Sequence, residues 1–256
     1  MNLTEEQIAQ NWASLLQRIE DNFDGQRKDS LLRLYNDFAE KMMMAPASGI
    51  EHFHNCFIGG YVDHVLRVMS CAERLYSQWE EMGADMSNYT HEELMFCALN
   101  HDLGKVGDKD NDYYVPNPSE WHRKNQGKIY DPNPNIQHMT VPHRSIWLLS
   151  QYNIQFSQNE MIGILTHDGV YDSANDAYLK PWGKEKALWN NLPIVLHHAD
   201  HMASRIEYEN WKNGNKIKQA VNSKPKFTKK PSTKKLSTAD NTSAQEMFKD
   251  LFGDAN

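Results

Sequence analysis

An all-α fold is what this sequence predicts, on three observations. Apolar residues recur at helical spacing through most of residues 1–211. Capping boxes open three of these stretches, at Thr4-x-x-Gln7, Thr90-x-x-Glu93 and Ser157-x-x-Glu160. No run alternates apolar and polar residues as a half-buried strand does, and no internal repeat is visible.

The first helix starts at Thr4, with Leu3 and Ile8 placed as a hydrophobic staple. Ile8, Trp12, Leu15, Ile19 and Phe23 form its stripe, and Leu31, Tyr35, Phe38 and Met42 carry the period on as a second helix, up to a break at Pro46-Ala-Ser-Gly49. A third helix spans Tyr61 to Trp79, with Val62, Val65, Leu66, Met69, Ala72 and Leu75 inward. A fourth opens at Thr90 and runs through Leu94, Cys97 and Ala98 to His101. Helical signals then stop. Residues 104–141 are rich in Gly, Pro, Asn and Asp, and so long a loop in a compact domain is more often functional than not. Pro142 suits the first position of the next helix, followed by Ile146 and Leu149. Ser157 caps another helix, through Ile164 to Thr166. The last runs from Leu192 to Trp211, with Val195, Leu196, Ala199, Ala203 and Ile206 inward.

The chain has 256 residues, 39% hydrophobic and 24% charged, enough to bury a core in one or two domains. No apolar run approaches the roughly 18 residues of a membrane span. The opening Met-Asn-Leu-Thr-Glu-Glu is neither basic nor apolar, so no secretory signal is expected. Cys56, Cys71 and Cys97 are an odd number without CxxC spacing. That argues against a disulfide framework or a Cys-based zinc knuckle, and a reducing cytoplasm is the expected compartment.

The net charge of −7 hides two opposite parts. Residues 1–211 carry 17 bases and 30 acids, whereas ten lysines and four acids follow from Lys212 onward. Between Asn210 and Ala239 there are nine lysines and no acid. This reads as a disordered basic linker that either solubilises the chain or attracts phosphate, nucleic acid in particular. Beyond it, Met247, Phe248, Leu251 and Phe252 share one face of a short helix. Such a peptide docks on a partner's groove or on its own domain. It resembles the acidic-aromatic C-terminal peptides with which phage replication proteins engage a sliding clamp.

Twelve histidines are the first hint of chemistry. His101-Asp102 closes a helix, and Gly104 supplies the bend that lets two adjacent residues reach one ion. An imidazole beside a carboxylate suits a borderline or hard divalent cation. His64 lies on the inward side of the third helix, and Asp200 on the apolar side of the last, where a carboxylate is costly unless paired or metal-bound. His143 starts one helix; His167 ends another, followed by Asp168-Gly169. Any one of these alone is by default a hydrogen-bonded or surface residue. The ordered set His, His-Asp, His, His, Asp is much harder to dismiss.

Over roughly residues 40–211 the chain resembles the HD-domain superfamily of metal-dependent phosphohydrolases. His64, Asn100-His101-Asp102-Leu-Gly-Lys105 and Asp200 match the four defining ligands. His143 and His167 match the extra histidines of members that hold a second metal. Ala45-Pro-Ala-Ser, His54, Gly59-Gly60-Tyr-Val-Asp-His64 and His167-Asp168-Gly169 resemble the YhaM-type 3′–5′ exoribonucleases. Those carry an N-terminal OB-like module, whereas about 40 helical residues precede the domain here; the 106–141 insertion and the tail are also extra.

The resemblance implies an HD-type helical bundle over 45–211, with N-terminal helices 1–44 packed on it; composition adds a disordered linker over 212–243 and a docking peptide over 244–256. It implies one or two divalent ions (Mn, Fe, Ni, Co or Zn). His64, His101, Asp102 and Asp200 would bind the first, and His143 and His167 the second, with Asp102 bridging. Lys105 and Arg144 are candidates to meet phosphate oxygens, and His54 to hydrogen-bond substrate or a ligand. Trp121 with His122, Arg123 and Lys124 either stacks a base or packs the loop. His197 is placed to line the site, His198 to sit at its periphery and His201 beside Asp200, with His52, His91 and His138 on the surface. The expected activity is hydrolysis of a phosphomonoester or phosphodiester. The acidic body favours a nucleotide substrate. The lysine run and the YhaM-like context favour 3′–5′ cleavage of single-stranded nucleic acid. A third reading is a non-enzymatic adaptor tethered to a replication or transcription complex.

Overall fold

The computed structural model describes residues 3–181 and 183–213, all within one unit of the chain. The lysine run and the C-terminal peptide lie outside the described residues. The N-terminal helices are α1 (Glu5–Asn22), α2 (Gly25–Asp37) and α3 (Ala39–Met44). Then come α4 (Gly60–Glu81) and α5 (His91–Asn100). After the insertion follow α7 (Val141–Gln151), α8 (Gln158–Leu165), the short α9 (Asp176–Leu179) and α10 (Leu192–Lys212). The three capping boxes read from the sequence all form, at Thr4, Thr90 and Ser157. Each satisfies backbone N–H groups that the first helical turn leaves without partners.

Helix α4 is the axis of the fold and packs against α1, α3, α5 and α10. Its first ten residues are all buried, from Gly60 to Met69. A helix buried nearly all round belongs at the centre. Leu15, Ile19, Leu34 and Tyr35 from the N-terminal helices share one core with Val65, Met69, Leu99 and Val195.

Three expectations are corrected. The second helix is two: Phe38, at φ −106° and ψ 10°, breaks it into α2 and α3. Ile206 is exposed and Glu207 takes the buried position on α10. The central segment is not a structureless loop. Strands β1 (Tyr114–Pro116) and β2 (Tyr130–Pro132) pair antiparallel, and helix α6 (Glu120–Gln126) lies between them. Strands of three residues are too short to show alternation, and their pairing is non-local.

Candidate metal centre

The sequence brings polar groups to the core at helix ends. Helix α5 stops at Asn100, and a 3₁₀ turn over Leu103–Val106 follows. Tyr35 Oη donates to the Leu99 carbonyl at 2.9 Å, fixing this end from the opposite side. Helix α7 backs onto the turn: Gly104 N–H donates to Ser145 Oγ at 2.8 Å, and Ser145 Oγ donates to the His101 carbonyl at 3.1 Å. A Cβ on Gly104 would stand 2.2 Å from the Val141 carbonyl oxygen, so only glycine allows this approach.

His101 Nδ1 lies 2.9 Å from the Ala98 carbonyl, and His167 Nδ1 lies 2.8 Å from the Ile164 carbonyl. A carbonyl only accepts, so both Nδ1 atoms carry protons, and in the neutral rings Nε2 holds the lone pair that a metal would take. His64 Nδ1 faces both Glu207 oxygens, at 3.1 and 3.2 Å, with the same result. Glu207 is held by Arg67 Nε at 3.0 Å, and Arg67 by Asp63 at 3.0 Å. Asn55 Nδ2 donates to Asp63 at 2.9 Å. A buried chain of charge-assisted bonds thus aims the His64 ring.

The Nε2 atoms converge. His64 Nε2 is 3.2 Å from Asp200 Oδ1 and 3.6 Å from Asp102 Oδ2. His101 Nε2 is 3.5 Å from Asp102 Oδ2 and 4.0 Å from Asp200 Oδ1. Two metal–ligand bonds of about 2.0–2.2 Å each span such separations. His64 Nε2 and His101 Nε2 are buried with no hydrogen-bond partner, which a bound cation would supply. The donors are nitrogen and oxygen, without thiolate, as a borderline or hard divalent ion prefers. His64, His101 and Asp200 therefore form a group that could hold an ion, and Asp102 reaches both imidazoles from the other side.

The carboxylate of Asp102 faces two ways. Oδ2 faces His64 and His101, and Oδ1 is 3.6 Å from His167 Nε2. His54 also joins: its ligand atom lies within 4.8 Å of those of His64 and Asp102. Its ring is 4.7 Å from that of His64, and its Nε2 is buried without a partner. His54 is therefore a ligand candidate rather than only a neighbour of the ligands.

Burial alone would keep these groups neutral, and their neighbours decide otherwise. Burial opposes charge on His64, but Glu207 and Asp200 outweigh it and raise the imidazole to about 10. Burial likewise opposes charge on His167, and Asp102 and Asp168 raise it to about 9. Asp102 is held well below the usual carboxylate range despite its burial, by Lys105 and His101. Burial, with His64 and Lys105 nearby, drives His54 well below the usual imidazole range, so it is a neutral donor.

Family models, curated proteins and solved structures offer no match to this chain.

The remaining expected residues divide. Lys105 is not a solvent-facing lysine: it is largely buried, with Nζ 2.6 Å from Asp102 Oδ2. His143 is exposed, its Nδ1 2.6 Å from Thr140 Oγ1, and it belongs to none of the ligand groups among the described residues. Arg144 is buried and donates to the Gln137 carbonyl at 2.7 Å, with its guanidinium 5.8 Å from the Tyr113 ring. It fastens the insertion instead of facing the cluster. Arg123 donates to the Asn117 carbonyl and so ties α6 to the chain just after β1, while Lys124 pairs with Glu120 inside the helix and Trp121 stays exposed.

His197 does not reach the donors. Its Nδ1 meets the His167 carbonyl at 3.0 Å, and its ring covers Gly169, where a Cβ would sit 2.3 Å away. His198 packs on Trp79 and His201 stacks on Tyr171. His52 and His138 are exposed; His91 is half-buried against Tyr76. Glu207 was missed, yet it has a signal: it stands seven residues after Asp200 and four after Ala203, on the same helical stripe.

Proposed function

We propose that this chain is an HD-type metal-dependent phosphohydrolase acting on a nucleotide or nucleic-acid substrate. The observation that carries the reading is the Asp102 carboxylate set among inward-turned imidazoles, with the Nε2 atoms of His54, His64 and His101 buried and without a hydrogen-bond partner. His64, His101, Asp102 and Asp200 would hold one divalent ion. His167 with Asp102 Oδ1 supplies part of a second position. Bound ions would lower the pKa of a water and neutralise phosphate oxygens. The water oxygen bonds to phosphorus, the ester P–O bond breaks, and the alcohol leaves with a proton. Phosphoryl transfer asks the protein chiefly for position and charge. Glu207 holds the His64 tautomer, and Lys105 presents a cation at the edge of the cluster.

Stepwise 3′–5′ cleavage of a single strand is the second reading, favoured by the nine-lysine run between Asn210 and Ala239. One experiment separates the readings. Metal-stripped protein is resupplied with manganese, iron, nickel, cobalt or zinc, and given nucleoside mono- and triphosphates or labelled single-stranded DNA and RNA. Release of phosphate from free nucleotides favours the first, and strand shortening the second. Silence on all substrates with metal bound favours the adaptor. The variant His101→Ala with Asp102→Ala is expected to lose all hydrolysis while keeping its helical content.

A further inference from the structure

A cavity of about 260 Å³ lies beside the cluster, and none of the roles above uses it. Its walls include Pro46, Ile58, Tyr113, Tyr114 and Tyr130, and Lys105 lines it as well. The insertion builds it. Tyr114 and Tyr130 each begin a strand of the hairpin, and their rings stand 6.3 Å apart. Tyr113 meets Tyr114 edge to face at 4.8 Å. Ile129 and Tyr130 N–H groups donate to the Gly49 carbonyl at 2.9 and 3.1 Å, which pins the hairpin to the Pro46–Gly49 run. Arg144 holds Tyr113 from α7.

The cavity is therefore mostly apolar and aromatic; its charged lining is the Lys41–Asp112 ion pair, which is closed on itself at 3.2 Å, and the Lys105 ammonium. Lys105 Nζ sits 2.6 Å from Asp102 Oδ2. A ligand filling the cavity would have its organic part against tyrosine rings and its anionic end at Lys105, next to the metal ligands. Planar bases stack on such rings, and apolar pockets with few polar groups orient small ligands.

We propose that this cavity seats the base and sugar of a single nucleoside monophosphate, with its phosphate at Lys105. The proposal rests on the phosphohydrolase reading and narrows its substrate. At about 260 Å³ the cavity falls short of the roughly 300–1,000 Å³ of pockets that enclose drug-sized ligands, so it takes no more than one nucleoside at a time. The 30 acids against 17 bases of residues 1–211 also disfavour a polyanion.

The test is binding of thymidine and deoxyadenosine 5′-monophosphates to the full-length metal-free protein by calorimetry, followed by steady-state hydrolysis with manganese. Tyr114→Ala is expected to weaken binding about 10-fold or more, and to raise KM by a similar factor with a smaller change in kcat. Tyr114→Phe keeps the ring and is expected to bind like the parent. Ile58→Trp, at a partly exposed wall position, fills the cavity without touching the core and is expected to block both nucleotides. Unchanged nucleotide binding in Tyr114→Ala and Ile58→Trp would overturn the proposal, whatever the protein hydrolyses. Single strands bound more tightly than the monophosphates, and blocked equally by Ile58→Trp, would overturn it too. Tyrosine-dependent nucleotide binding without hydrolysis at any metal would keep the cavity and remove the phosphohydrolase.

Discussion

Glu207 shows how much a single side chain behind the cluster controls. It touches no prospective substrate, but it sets the proton on His64 Nδ1 and so frees Nε2. Carboxylates in that position are worth about 10–100-fold in metal affinity. Glu207→Gln is expected to lower manganese or zinc affinity by that factor in calorimetric titration, with the fold intact. The protonation of the cluster sets a second expectation. In the metal-free protein His64 and His167 are raised to about 10 and about 9, above the ordinary value near 6.5. A raised imidazole contributes stability that is complete below pH 6.5 and lost as pH rises through the folded value. The metal-free protein is therefore expected to lose thermal stability between pH 7 and pH 10. Metal binding must release the same protons, so affinity is expected to rise over the same interval. A flat Tm across that range would contradict the assigned protonation.

Among the elements, the joint between α5 and α7 matters most to the site, because the 3₁₀ turn between them carries Lys105 and follows His101 and Asp102 directly. Gly104→Ala places a methyl group against the Val141 carbonyl. Overpacking of this kind costs about 1–3 kcal/mol, to be read as a shift in the urea midpoint. Metal affinity is expected to fall with it, because moving the turn moves Asp102. The cap of α5 is a milder contrast. Thr90→Ala removes one side of a capping box at the far end of the same helix and is expected to cost about 1 kcal/mol with little effect on metal binding. The period of the second helix was legible in Leu31, Tyr35 and Met42, all buried, but not the break at Phe38, because α2 and α3 present apolar residues to the same core.

For the molecule as a whole, the donors come from separate parts of the chain: His64 from α4, His101 and Asp102 from the end of α5, His167 from beyond α8, and Asp200 from α10. An ion at this point would add a cross-link to helices that already meet through apolar packing and, between α4 and α10, through Glu207. Ligand at 100 times its dissociation constant stabilises by about 2.7 kcal/mol. In a protein of this size that corresponds to a rise in Tm of roughly 5–10 °C, expected on adding the metal and reversed by chelation. His101→Ala with Asp102→Ala should abolish the rise. No helix among the described residues is long and apolar enough to cross a membrane. A larger cavity of about 580 Å³, lined by Arg27, Glu93 and Glu160 among others, contains none of the cluster donors and has no part in this linkage.

Helical class, capping boxes and the four converging donors were all readable along the chain. Each rests on local signals: a 3.6-residue period, a cap three residues from its partner, or a polar residue on an apolar stripe. His64, His101, Asp102 and Asp200 could be picked because each breaks such a pattern at a core-facing place. His143 and Arg144 look equivalent in sequence, yet one points outward to Thr140 and the other holds Gln137. That choice depends on how α7 lies against Gly104, which no local pattern encodes. The hairpin, its tyrosine-lined cavity and the pairing of Glu207 with His64 and Arg67 depend likewise on contacts between residues far apart in the chain. Periodicity tells which face of a helix seeks the core; the packing of helices against one another determines what that face meets there.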